Sequence, residues 1–367
     1  MLAPGLLIVL SNDLVASVPQ TALLITIAAI AMCFGSPILA TLTSDIDRRT
    51  VLAGSLTLYA LGHALCAFAP NLTTLIALRT ITLLGAAVFT PQAAATLGIV
   101  IAPERRAAAI TAVFLGWSVA SVVGSPLSAW LGAHVGWRGT FGLFAGLCLV
   151  GVVWVFRVVP KGLRGASLSR DAWLQVANHP ALFAILLVTV VSASGQFTTF
   201  AYIAPYVANT LDSSPNTLSL ALVLFGMAGL VGNVWATRRI GQHGATSNVT
   251  ISMISMCVGM VTLAAVGSIW VGFIVGALAW GAGVFANNSS QQARLVGASP
   301  ELAGASIALN TSMIYLGQAI GTSVGGAVIA NAGYRWLPLI GATVLMGALA
   351  LSYRAARKTA HITESTK

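Results

Sequence analysis

Long apolar runs separated by short polar joints dominate this chain. Eleven windows stand out: 21–42, 51–69, 72–102, 107–135, 140–156, 181–207, 217–237, 249–266, 269–293, 303–330 and 336–353. A helix needs about 20 mostly apolar residues to cross the hydrocarbon core of a bilayer. Arg79 is the one formal charge inside these windows. The pattern predicts an all-α membrane protein with eleven full crossings.

Composition supports this. A soluble domain carries about 25% charged residues, whereas this chain is 7% charged and 57% hydrophobic. So few charges cannot cover a water-facing surface, and the outside must meet lipid. The net charge of +10 first suggests nucleic acid. The basic residues, however, lie in short clusters between apolar runs, without a stripe of interleaved aromatics, which excludes that partner. Cys33, Cys66, Cys148 and Cys257 each sit within an apolar run and lack CxxC spacing. They read as packing residues, not as a disulfide framework or a metal site. Residues 1–10 lack the basic start of a cleavable leader.

Lys and Arg set orientation. Counting alternate joints, fifteen of the eighteen fall on one side, among them Arg48, Arg49, Arg105, Arg106, Arg157, Arg238, Arg239 and Arg294. Only Arg138 and Arg335 fall on the other. The rich side, with the C-terminus, is expected in the cytoplasm of a bacterial inner membrane protein. The longest joint, 157–180, is basic and reads as a linker. This divides the chain into an N-terminal bundle (1–156), the linker (157–180), a six-helix bundle (181–353) and a tail (354–367).

The two bundles resemble each other. At an offset of 197, Pro103, Glu104, Gly124, Gly136 and Arg138 match Pro300, Glu301, Gly321, Gly333 and Arg335. At 196, Ser17, Pro19, Thr21 and Leu24 match Ser213, Pro215, Thr217 and Leu220. Ala3-Pro4 resembles Ala204-Pro205, but about twenty apolar residues precede only the second pair. The first bundle is therefore expected to hold five spans and a stub, with most of its first helix missing.

Two six-helix parallel repeats joined by a basic linker resemble the major facilitator superfamily. The joint Ala40-Thr41-Leu42-Thr43-Ser44-Asp45-Ile46-Asp47-Arg48-Arg49 resembles that family's cytoplasmic signature. It departs from it at Ala40, Ser44, Asp45 and Asp47. A carboxylate near a helix start and arginines at the headgroups are its physical logic. The stretch Leu78-Arg79-Thr80-Ile81-Thr82-Leu83-Leu84-Gly85 resembles the fourth-helix arginine motif of proton-coupled members. The stretch 116–132 resembles the fifth-helix antiporter signature, with Gly124-Ser125-Pro126 at its centre. Gly136-Trp137-Arg138 resembles an outer turn of drug exporters. The resemblance is nearest to twelve-helix drug:proton antiporters, including multidrug, chloramphenicol and sugar-efflux types. It implies a proton-coupled exporter of small organic compounds, monomeric, without cofactor or metal.

The expected substrate and proton pathway comprises Arg79, Gln92, Trp117, Gln196, Tyr202, Trp280, Asn287, Asn310 and Gln318. A charge within a span costs from about 2.5 kcal/mol upward and faces a bundle interior or cavity. Amides and rings in an apolar cavity suit amphipathic or cationic organic molecules. Each also fits an ordinary interhelical hydrogen bond or packing contact. Expected gating residues are Asp45, Arg48, Arg49, Gly116, Gly124, Pro126, Gly132 and Gly321. Small residues every fourth position let backbones approach closely, whether for rocking or for static packing. His63 titrates near neutral pH when unperturbed, and also reads as a structural histidine. All eight carboxylates map to joints or the tail, so no membrane-embedded acid for coupling is evident. A sugar or nucleoside permease, or an inactive transporter, are the alternatives. Scattered, unpaired histidines argue against catalysis.

Overall fold

The computed structural model describes residues 2–43, 45–102, 119–120, 122–164, 170–211 and 215–365. Among them the chain is helical throughout. In order come α1 (Leu2–Asp13), α2 (Val18–Thr21), α3 (Leu23–Leu42), α4 (Arg48–Ala67) and α5 (Leu72–Val100). Then follow α6 (122–134), α7 (Gly136–Val158), α8 (Arg170–Asn178), α9 (Pro180–Phe200) and α10 (Ile203–Leu211). The last are α11 (Pro215–Val266), α12 (Trp270–Ala298), α13 (Ala303–Ala332) and α14 (Leu337–Ser365). Among the described residues, nine helices are long and apolar enough to cross a membrane.

Polar side chains set the helix starts. Asp47 caps α4 by accepting from Thr50 N, and Asn71 caps α5 by accepting from Thr74 N. Ser17 and Gln20 form a reciprocal box at α2, satisfying donors that a helix start leaves open.

Four boundaries differ from the sequence reading. The windows 217–237 and 249–266 run into one element of 52 residues, α11, interrupted at Gly244 (φ 77°). Asn248 Nδ2 donates to Ala236 O at 2.7 Å. Twelve residues of straight helix would place them about 18 Å apart, so α11 doubles back there. A positive φ suits glycine at such a reversal. The window 181–207 breaks at Ala201–Tyr202. Pro205 explains it: proline offers no N–H and its ring crowds the carbonyl four residues earlier, that of Ala201. The linker contains the short helix α8, whose Val176 packs with Leu182, Ile185 and Leu295. Finally, α12 extends through Ala298, which moves Arg294 from a joint into a helix. Much of the window 107–135 lies outside the described residues.

Helix α4 packs on α5 and α7, and α3 on α5. Helix α9 packs on α13 and α14, and α11 on α12. The two groups meet through α3 against α13 and through a shared apolar core. That core joins Leu7, Ala22, Ile25 and Val122 to Phe197, Tyr202, Leu218 and Phe225. The outside is as apolar as the inside: Phe34, Val150, Trp154, Val231 and Val271 are each more than 60% exposed. Patches of that kind belong against lipid rather than water.

Candidate functional site

Arg79, on α5, is 4% exposed and its Nη1 lies 3.2 Å from Nε2 of His63 on α4. His63 Nδ1 sits 2.7 Å from the carbonyl of Tyr59, one turn earlier. Helix α7 closes the site with Phe141, whose ring lies 5.6 Å from the guanidinium. A cation over a ring face is attracted to its quadrupole. Arg79 Nε has no hydrogen-bond partner. The sequence marked Arg79 by its charge. It gave His63 no partner, because residues 16 apart on different helices meet only once α4 and α5 cross.

Arg79 is not the only buried cation. Arg48 is 3% exposed and donates to Gln92 Oε1, while Gln92 Nε2 donates to Thr43 at 3.1 Å. Arg294 is 6% exposed and donates to the hydroxyl and carbonyl of Ser352 on α14. These correct the expectation that Arg48 is a headgroup anchor and that Arg79 is alone. Gln92, expected in the solute pathway, is engaged by Arg48. Arg49 donates to the carbonyl of Phe156 and lies over its ring.

The signature joint is tied to the linker. Asp47 accepts from Gly162 N at 2.6 Å, and Arg48 N donates to Leu163 O. Burial works against the Asp47 carboxylate, but bonds from Thr50, Gly162 and Leu163 hold it below the usual aspartate range. Asp45 is exposed; Ser44 lies outside the described residues. At the opposite end, Asp13 Oδ2 accepts from Trp137 Nε1 at 2.6 Å and Arg138 Nη1 at 2.7 Å. The bond from Trp137, then that from Arg138, lowers its pKa. Arg138 Nη2 also donates to Ala69 O, so α1 and α7 are fastened to each other and to the joint between α4 and α5.

The expected pathway residues of the second group are scattered through its interior. Tyr202 donates to Thr322 O at 2.8 Å, and Asn310 accepts from Thr189 at 2.7 Å. Trp280 is fully buried between Phe200 and Phe225; its Nε1 and the Asn287 Oδ1 have no partner. Gln196 and Gln318 are half-buried. Gln196 lines a small cavity with Ser125, Phe200, Leu222 and Phe225. Trp117 and Gly116 lie outside the described residues.

The glycine rows mostly pack helices of the same group. A Cβ at Gly321 would lie 2.3 Å from Ser194 O on α9, and one at Gly132 would strike Leu6 of α1. Gly124 is half-buried. Pro126 is the crossing point, where its carbonyl accepts from Ser219 on α11 at 3.2 Å. Among the described residues no cluster of His, Cys, Asp or Glu could hold a metal.

A helical bundle with buried arginines in its walls is common to many transporters, and comparison narrows it. The Escherichia coli K12 inner membrane transport protein YdhP is 31% identical over 355 residues, 96% of this chain and 91% of that protein. The solved bacterial homologue of the human lysosomal transporter Spinster, inward-facing and unoccupied, superposes with a TM-score of 0.73. Its identity is 14%, over 98% of this chain and 95% of that one. A nucleoside transporter, NupG, gives 0.73 at 14% identity, covering 97% and 94%. The model of the Major Facilitator Superfamily matches residues 1–202 and again 185–367. The chain belongs to the Major Facilitator Superfamily, and is a multi-pass membrane transporter of that type.

Proposed function

We propose that this chain exports small organic compounds across a bacterial inner membrane by alternating access, in exchange for protons. The observation that carries it is Arg79: a cation 4% exposed within a membrane-length helix, 3.2 Å from the imidazole of His63. Charges are retained at such depth when they serve a pathway. Exchange and outward direction rest on the likeness of residues 78–85 and 116–138 to drug:proton antiporters. The inner-membrane placement rests on the naming of the related Escherichia coli protein.

The double match of one family model supports two repeated units, divided by the linker 157–180. Eleven crossings follow if α11 counts as two and the apolar window 107–135 as one. The basic turns at Arg48–Arg49 and Arg238–Arg239 then face the cytoplasm. On that orientation the shared core at Ala22, Ile25, Tyr202 and Leu218 closes the outer end. Partners are the bilayer, a small organic solute and protons, with the chain working as a monomer.

The test is in everted membrane vesicles. Adding ethidium or chloramphenicol to energised vesicles should release part of the proton gradient in the wild type, and not in Arg79→Gln. Solute movement indifferent to the gradient would instead favour a sugar or nucleoside permease.

A further inference from the structure

This inference rests on the proton-driven reading above and deepens it. We infer that His63 is the residue that carries the exchanged proton, and that Arg79 expels it in the conformation seen here. The argument is one of hydrogen-bond inventory. A carbonyl oxygen only accepts, so the 2.7 Å contact with Tyr59 O requires the proton on Nδ1. A guanidinium only donates and stays charged. The 3.2 Å contact with Arg79 Nη1 therefore requires a lone pair on Nε2. His63 is fixed as the neutral Nδ1–H tautomer.

A proton arriving at Nε2 would remove the acceptor and set two cations 3.2 Å apart in a site 1% and 4% exposed. Protonation of His63 and its bond to Arg79 are thus mutually exclusive. Arg79 Nε has no partner that would pin it in place. The surrounding titratable and charged groups among the described residues are Arg79 on α5, Tyr59 and Cys66 on α4, Cys148 on α7 and, beyond Tyr59, Tyr315 on α13. None is a carboxylate. Phe141 and Phe144 supply apolar walls, with ring centroids 5.7 and 6.3 Å from His63. Among the described residues Asp13, Asp45, Asp47, Asp171 and Glu301 all sit at helix ends or turns, away from this wall.

The cycle follows. With the outer end closed, Arg79 occupies Nε2 and the proton leaves toward the cytoplasm. With the outer end open, Arg79 withdraws, and Nε2 takes a proton from outside. His63 is then a coupling residue and Arg79 its positioning residue.

The test uses the full chain in nanodiscs, labelled with ¹⁵N-histidine and assigned by the signal lost in His63→Gln. The wild type should show one neutral Nδ1–H tautomer for His63 down to mildly acidic pH. Arg79→Gln should add imidazolium signal there, while Arg79→Lys, which keeps the charge, should not. Nε2–H in the wild type, or identical spectra in all three proteins, would overturn the inference. At a pH low enough for imidazolium to appear in the wild type, ethidium binding in an unbuffered medium should release protons from the wild type and none from His63→Gln. Release that persists in His63→Gln would also overturn it. Failure of ethidium to bind the wild type counts against the exporter reading alone, because the histidine spectra stand apart from any solute.

Discussion

By sequence offset the crossing of α4 with α5 aligns with the crossing of α11 with α12; both bring glycines against the facing helix, at Gly62 and Gly85 and at Gly259 and Gly276, and they differ at one place. At the offset of 196 positions, His63 corresponds to Gly259, Arg79 to Val275 and Thr80 to Gly276. In the second half a Cβ on Gly259 would lie 2.4 Å from Trp280 N and 2.6 Å from Gly276 O. The helices there touch backbone to backbone, and one turn away Ser255 donates across the crossing to Ala279 O at 2.6 Å. In the first half the same place holds an imidazole and a guanidinium, 3.2 Å apart. Close apolar contact makes a rigid wall, since packed interiors yield little. A buried polar pair with one unpartnered atom can rearrange, at the cost of stability. The comparison sets a close-packed glycine contact in one group against a buried polar pair in the other.

The largest effect should come from filling the tight crossing. Gly259→Val places new atoms against backbone that cannot give way, so overpacking should cost about 3 kcal/mol. Thermal unfolding in detergent, or folded yield by size exclusion, would show it. An unchanged midpoint would mean that the second crossing is as forgiving as the first. Next is Asp47→Ala, which removes the α4 cap and the bond from Gly162. A lost cap costs about 1 kcal/mol, and the freed segment 159–164 should become more sensitive to protease than in the wild type.

The smallest effect is at Asp13, whose carboxylate is half-exposed in its pair with Arg138. Its pKa in the folded protein is lowered from 3.8 by Trp137 and then Arg138. The folded state therefore holds its proton less tightly than the unfolded chain does. The contribution to stability is full above the ordinary aspartate range, and disappears as pH falls below it through the lowered value. Unfolding midpoints measured from pH 6 to pH 3 should fall more steeply in the wild type than in Asp13→Asn. Asn209 on α10, by contrast, bonds its own helix at Pro205 O, so Asn209→Ala should leave the acid profile alone.

How much of this was readable beforehand divides by range. Runs of apolar residues declare membrane helices, because lipid contact is a local demand, and Arg79 is conspicuous for the same reason. What failed to show depends on neighbours distant in sequence. Asp13 looked like one more joint carboxylate, since Trp137 and Arg138 lie 124 and 125 positions away. Asp47 occupies a position where the family signature has glycine, and its role needed the linker beside it. Arg294 looked like a joint residue until α12 proved one turn longer. The break before Pro205, in contrast, was written in the sequence: proline interrupts the hydrogen-bond ladder, but an apolar count does not register it.

Alternating access is the claim beneath all the rest, and distances across both ends test it most directly. Spin labels at Val15 and Asn331 would report the outer end, and labels at Thr50 and Gln242 the basic end, all four being exposed. Pulsed electron resonance on the full chain in nanodiscs, from neutral to acidic pH, should show the outer pair separating as the inner pair approaches. Two distances that stay fixed, or lengthen together, would contradict the account.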